Sequence, residues 1–398
     1  MSITPVKGRD GYYDVRVYER VTAPGEKPRP VCRRVKGKRN AERLERDLTT
    51  ARDRGSKIGG VPTLAAYMDR YLTSRRREVT AQTLHGYRAV AERYIAPDIG
   101  RLPLPAIDPG TVRDFYGRLS DKGLAPASVA HVHRVLSLTL KSAMVEGRYI
   151  TRNPCQVARP PKDDHQGTRD EERGLEQAEA QHLLRDLEGS DVYMPAAMGL
   201  STGLRRSEML ALKWEDVNLK GRELHVTAAL EQVGKTVTRR DPKTKRSRRS
   251  VPFGDAMTGL LDEHKREQAK MRLASPFFWT DEGYVFPSVR ITQSQDGGRV
   301  WTPSAFSQAW RRAINEVNGR RLGEHAAAGG SVEEFEPLVV GFHDLRHTCA
   351  TVWLRAGVRD EEVSRRLGHS SSVITRRVYS HATAEEVRDG VDATDALL

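Results

Sequence analysis

Apolar and polar residues alternate with a period of two through Tyr12-Tyr13-Asp14-Val15-Arg16-Val17-Tyr18, the pattern of a strand with one buried face. Pro24-Gly25-Glu26-Lys27-Pro28 supplies a turn, and Val31-Cys32-Arg33-Arg34-Val35-Lys36 reads as the returning strand. The period then lengthens. From Asn40, a residue suited to cap a helix, the chain reads as helical to about Arg54. Ser56-Lys57-Ile58-Gly59-Gly60-Val61-Pro62 has the composition of a linker.

Residues 63–160 carry helical periodicity throughout. Thr80 is placed to cap a helix whose stripe is Leu84, Tyr87, Ala91 and Tyr94. Asp108-Pro109 joins a cap to a proline at the first helical position, and Pro126 opens a helix with Val129, Val132, Leu136, Leu140 and Met144 on one side. These stripes are core positions. The opposite faces present Arg75, Arg76, Arg77, Arg88, Arg93, Arg134 and Lys141, which suit phosphate contacts. Periodicity lapses from Pro154 to about Gly174, a second linker containing Pro160-Pro161-Lys162-Asp163. A third domain, 175–398, opens with a helix over 178–187, and another apolar helix leads into Ser201-Thr202-Gly203. Trp214-Glu215-Asp216-Val217 hands over to candidate strands at 224–228, 236–240 and 249–253, with a cation-rich tip between the last two. Helix resumes after Trp301 and carries an insertion-like stretch at 318–337.

The fold class that follows is mixed α/β and multidomain. A small β-sheet-plus-helix domain occupies 1–57, an all-helical domain 63–160, and a mainly α domain with a small antiparallel sheet 175–398.

Charge narrows the partner. The chain carries 66 Lys and Arg against 53 Asp and Glu, a net +13, which points to a polyanion and first of all to nucleic acid. Residues 1–57 alone hold 16 basic and 8 acidic residues, a net +8, so that small domain is expected to lie on DNA. Cys32, Cys155 and Cys349 are too scattered for a disulfide framework or a zinc site, which suits a reducing cytoplasm. The first residues do not resemble a signal peptide, and no apolar run approaches the roughly eighteen residues of a membrane span. The expected location is the cytoplasm, with the nucleoid.

Candidate chemistry concentrates near the end of the chain. In Phe342-His343-Asp344-Leu345-Arg346-His347-Thr348, His343 and Arg346 share a helix face, setting an imidazole beside a planar cationic fork suited to phosphate oxygens. Tyr379 offers a hydroxyl able to attack phosphorus. His347, one step past Arg346, is expected to point elsewhere and to be structural.

These residues carry a resemblance. Thr202-Gly203-Leu204-Arg205-Arg206-Ser207-Glu208, ending in Leu212-Lys213-Trp214, resembles the first arginine box of the tyrosine recombinases, or phage-type integrases. Pro242-Lys243-Thr244 with Arg248-Arg249-Ser250-Val251-Pro252 is similar to their β-hairpin lysine. His343-Asp344-Leu345-Arg346, then Leu367-Gly368-His369, then Tyr379 follow in that family's order. The resemblance is motif-specific from about 200 to 381; earlier domains match it in architecture, as arm-binding and core-binding domains.

It implies a site-specific recombinase that cuts and rejoins double-stranded DNA at attachment sites, integrating or excising a mobile element through a 3′-phosphotyrosine. Arg205 and Arg346 would clamp the phosphate and His369 would donate to it. Lys243 would protonate the departing 5′ oxygen, and His343 would take the proton of Tyr379 or orient the phosphate. Arg206 is a rival to Arg205 and Lys245 to Lys243. Glu208 and Asp344 would hold the arginines. The phosphotyrosine conserves bond energy, so neither cofactor nor metal is expected, and no two-metal carboxylate cluster appears among the boxes. Partners expected are a homo-tetramer on DNA and accessory DNA-bending or directionality proteins. The tail with Val391, Ala393, Ala396 and Leu397 is expected to dock on a neighbouring protomer. Alternative readings are a type IB-like topoisomerase and a non-catalytic DNA-binding regulator.

Overall fold

The computed structural model describes residues 2–6, 8–18, 30–53, 61–146, 149–161, 174–241, 248–289, 296–368 and 390–398. The chain divides into two units, 1–167 and 168–398.

The first unit opens with a three-stranded antiparallel sheet in sequential order, β1 (Ser2–Pro5), β2 (Tyr12–Tyr18) and β3 (Pro30–Lys36). Val17 stands opposite Val31, and Ile3 opposite Val15. Period-two alternation sends Val15, Val17 and Val31 to one face, where Ala41, Leu44 and Leu48 of α1 (Lys38–Asp53) cover them. The other face carries Arg16, whose Nε donates to Cys32 Sγ at 3.3 Å, and Arg34, which forks onto Asp14. Strand β1 was not expected, because Ile3 is its one large apolar residue. The helix starts two residues before Asn40. Gly37, at φ +91, turns the chain there, and Asn40 Nδ2 donates back to the Lys36 carbonyl.

The rest of this unit is built mainly from α2 (Leu64–Ser74), α3 (Ala81–Val90), α4 (Pro109–Asp121) and α5 (Pro126–Val145). Thr80 and Asp108 each accept from the backbone N–H three residues on, so the caps read from sequence form, and Thr63 makes the same contact at the start of α2. A wider turn, Ala91–Ile95, carries α3 onward. Leu64, Met68, Ile95, Phe115, Leu119, Val129, Leu136 and Leu140 interlock at the centre. The second linker begins later than Pro154: Cys155 and Ala158 are buried in this core, and Asn153 Nδ2 donates to the Ser137 carbonyl. Its far end is packed as well. Gly174 lies against the Thr348 backbone, and the Leu175 N–H donates to Thr348 Oγ1.

The second unit is mainly helical: α6 (Gln177–Leu187), α7 (Tyr193–Thr202), the single turn α8 (Arg206–Met209), then a β region, then helices again. Strands β4 (Val217–Asn218) and β5 (Glu223–Val226) form an antiparallel sheet with β8 (Arg249–Pro252), in the order β4-β5-β8. Between β5 and β8 in sequence, β6 (Ala229–Val233) and β7 (Thr236–Arg240) make a hairpin whose first strand was not foreseen. Also unforeseen is α9 (Asp255–Ala274), which buries Met257 and Leu261 in the core and packs Leu260 against it.

Then come α10 (Pro303–Ala327), α11 (Phe342–Arg355), α12 (Asp360–Leu367) and α13 (Gly390–Asp395). The insertion-like stretch is helical in its first part. Helix α10 runs straight through Asn318, Gly319 and Gly323, an added Cβ at either glycine would meet open space, and Asn318 exchanges two hydrogen bonds with the Leu338 backbone at the base of the returning loop. The tail also departs from expectation. Val391, Thr394 and Leu397 are buried within the chain's own unit, Asp395 accepts from the N–H groups of Ala256 and Met257, and Gln181 Nε2 donates to the Ala396 carbonyl. The apolar positions are few, but α9 presents free N-terminal N–H groups that an aspartate satisfies. Among the described residues no helix is long and apolar enough to cross a membrane.

Candidate active site

Helix α7 ends because Gly203 adopts φ +61, a left-handed conformation glycine tolerates best. A Cβ there would stand 2.6 Å from Leu367 Cδ2 and 3.3 Å from Cys349 Sγ, so the turn is pressed against α11 and α12. Two residues on, Arg205 is extended and caps α8. Glu208, in the first turn of α8, accepts from the Arg205 N–H at 2.9 Å and from Arg205 Nη1 at 2.9 Å. Arg205 Nη2 donates to the Gly368 carbonyl at 3.0 Å. Its side chain keeps 35% of its exposure, leaving the guanidinium open to a ligand on one side.

Arg346 reaches the same turn from α11. Its Nη1 donates to the Gly203 carbonyl and its Nη2 to the Leu367 carbonyl, both at 2.7 Å, and the residue is only 2% exposed. Thus residues 143 and 163 positions apart converge on one joint, where α12 ends at Gly368 with φ +67. His369 follows Gly368 in sequence but lies outside the described residues, as do Lys243, its rival Lys245, and Tyr379.

His343 sits in the first turn of α11, at the surface, behind the Gly341 N–H that Asp344 Oδ2 accepts. Asp344 therefore caps its helix in the observed contacts. Glu208 is the carboxylate that holds an arginine. Partial desolvation lowers the His343 imidazole to about 4; His347 and Arg346 push the same way, Asp344 opposes, and Arg205 adds a smaller push. His347 does not point elsewhere: four residues on, its ring meets the His343 ring edge-on at 5.0 Å. His343 is neutral at physiological pH and opens onto a cleft of about 660 Å³. Arg205, Arg206 and Ser207 form one wall, Ser307, Trp310 and Arg311 of α10 the other. Arg206 leans across it to Ser307 Oγ, whereas Arg205 turns inward to Gly368; the two neighbours are separated by the direction of their side chains.

Arg249 is the residue the sequence reading left as part of a strand. Its side chain is 2% exposed and forks onto Glu208, with Nη1 at 3.1 Å from Oε1 and Nη2 at 2.9 Å from Oε2. Burial pushes the Glu208 carboxyl up, but the bonds and charge of Arg249, then of Arg205, more than reverse this and hold it down at about 2. A signal was available: in β8 the alternation puts Arg249 on the same face as Val251, which is a core position.

Residues 173–386 match the model of the phage integrase family, and residues 63–120 match that of the phage integrase N-terminal SAM-like domain. An integrase of Saccharopolyspora erythraea is 25% identical, over 96% of this chain and 93% of its own. The Tn1549 transposon integrase, solved in complex with a circular intermediate DNA, superposes with a TM-score of 0.63 at 20% identity, covering 81% of this chain and 96% of that one. A lambda integrase, solved as a tetramer bound to a Holliday junction, gives a TM-score of 0.56 at 20% identity over 94% of both chains. The chain belongs to the phage integrase family, the tyrosine recombinases of phages and mobile elements, and is a DNA strand-transferring enzyme.

Proposed function

We propose that this enzyme exchanges DNA strands between two attachment sites by way of a phosphotyrosine, with Tyr379 as nucleophile and Arg205, Lys243, His343, Arg346 and His369 around the reacting phosphate. The observation that carries this reading is the convergence of Arg205 and Arg346 on the Leu367-Gly368 turn, beside a neutral His343 that faces an open cleft.

The chemistry follows from that arrangement. The Tyr379 oxygen attacks phosphorus and its proton passes to His343, whose imidazole is unprotonated at neutral pH. Charge grows on the non-bridging oxygens, and the guanidinium of Arg205, with its one open side, is the described group nearest to that task. Arg346 is committed to carbonyls at 2% exposure, so it supports the joint and adds its charge from beneath. The P–O bond to the 5′ oxygen breaks, and Lys243 supplies the proton to that oxygen. The 5′ hydroxyl of the partner strand then attacks the phosphotyrosine, reversing each proton transfer and releasing Tyr379. Bond count and charge balance without a nucleotide co-substrate.

Residues 1–57 serve as an arm-binding domain and 63–160 as a core-binding domain, and four copies assemble on the paired sites. The +8 charge of the first segment, the SAM-like match and the solved lambda integrase tetramer support this division. A plasmid carrying two attachment sites tests it. Recombinant circles are expected, made without ATP and in the presence of a chelator. Relaxation of supercoils with no exchanged sequence would instead favour the topoisomerase reading.

A further inference from the structure

Three consecutive carbonyls end α12, those of Arg366, Leu367 and Gly368. Each is held by a different guanidinium: Arg366 by Arg249 Nε, Leu367 by Arg346 Nη2, and Gly368 by Arg205 Nη2. The last carbonyls of a helix lack intrahelical partners and carry its partial negative charge, so cations gather there readily. What is unusual is that two of the three cations are tied together a second time. Glu208 accepts from both Arg205 and Arg249, and its pair with Arg249 lies out of water, the Glu208 side chain at 6% exposure and that of Arg249 at 2%. Gly368 is packed on the Arg249 guanidinium so closely that a Cβ would meet Nη1 at 3.0 Å.

We infer that Arg249 is a positioning residue for strand cleavage, fixing Arg205 through Glu208 and the α12 terminus through the Arg366 carbonyl. Arg249 opens β8, directly after the segment that carries Lys243 in sequence, so one side chain ties together β8, the first arginine box and the end of α12. The inference rests on the phosphotyrosine reading above. It adds a residue that touches no substrate yet sets the geometry of groups that do. A buried ion pair of this kind is a costly way to gain stability, since two desolvated charges often do no better than apolar side chains of similar volume. Its rigidity is what a reaction sensitive to displacements of an ångström uses.

The test uses the full chain and a nicked suicide duplex carrying a core site, mapped beforehand by footprinting the unmodified protein on DNA flanking its own gene. Site affinity and the single-turnover rate of adduct formation are measured separately for Arg249→Met, Arg249→Lys and the pair Arg249→Met with Glu208→Gln. Affinity is expected to stay within about threefold, while Arg249→Met slows cleavage on the order of 100-fold, as misplacement of catalytic groups does. Arg249→Lys should recover part of that loss, because an ammonium can face Glu208 but cannot also fork to the Arg366 carbonyl. The double variant removes both buried charges and so folds even where Arg249→Met does not; it is expected to bind normally and cleave slowly. A double variant cleaving at the parent rate, or affinity and rate falling by one common factor, overturns the inference. Failure of the unmodified protein to form any adduct overturns the phosphotyrosine reading itself.

Discussion

Glu208 illustrates how much of the site is decided by a single residue. It accepts from two arginines and from the Arg205 backbone while almost wholly buried, so Glu208→Gln leaves Arg249 without its counter-charge. A loss of about 3–5 kcal/mol is expected from urea unfolding of the variant. The pH dependence has a definite sign. A carboxyl held at about 2, against 4.5 when free, contributes stability that is present above about pH 4.5 and lost as the pH falls toward 2. Glu362 is also held at about 2, chiefly by Arg365, with burial opposing and Arg366 adding to the effect, so acid unfolding of Glu208→Gln should flatten in that window without vanishing. Arg205→Ala is expected to slow cleavage by about 10²–10³ while leaving site binding within about threefold, as loss of one transition-state donor does. The boxes made Arg205, His343 and Arg346 legible in the sequence, because their order along the chain carries the signal. For Arg249 the alternation in β8 signalled burial but not the partner, because that contact lies 41 positions away. The nearness of His347 to His343 followed from i,i+4 spacing and was there to be read.

At the level of elements, sequence and structure agree where capping chemistry is local. Thr80, Asp108-Pro109 and Pro126 mark helix starts that the structure reproduces, because a cap needs only residues three apart. They part where pairing is non-local. Strands β1 and β6 are held by partners, Ser2 opposite Arg16 and Ala229 opposite Arg240, and neither has a strong alternation of its own. The stretch at 318–337 reads as insertion-like and contains Ala326-Ala327-Ala328-Gly329-Gly330, yet α10 continues to Ala327. The Asn318 side chain then ties the returning loop at Leu338. Asn318→Ala is expected to cost about 1–2 kcal/mol and to raise the hydrogen-exchange rate of the Leu338 amide, since a donor and an acceptor lose their partner. Unchanged exchange at Leu338 would show that the loop is held elsewhere.

For the whole molecule, charge and domain order set the expectations. Binding should weaken steeply with salt, as it does for any protein that neutralises several phosphates, and removing 1–57 should abolish protection at the outer sites while core-site cleavage persists. The tail reading changes most between sequence and structure. Few apolar residues suggested a partner surface, but Val391 and Leu397 are buried at home and Asp395 caps α9. Truncation before Gly390 is therefore expected to destabilise the isolated chain by about 3–6 kcal/mol, from two lost apolar side chains, with the lost cap in addition. An unshifted thermal transition would contradict the observed docking. The central claim, covalent catalysis by Tyr379, is tested most directly by digesting the adduct trapped on a nicked suicide duplex and sequencing the DNA-linked peptide by mass spectrometry. The expected result is a single 3′-phosphoryl link at Tyr379, absent from Tyr379→Phe protein that still binds the site. A link at another residue, or an adduct that survives in Tyr379→Phe, would contradict it.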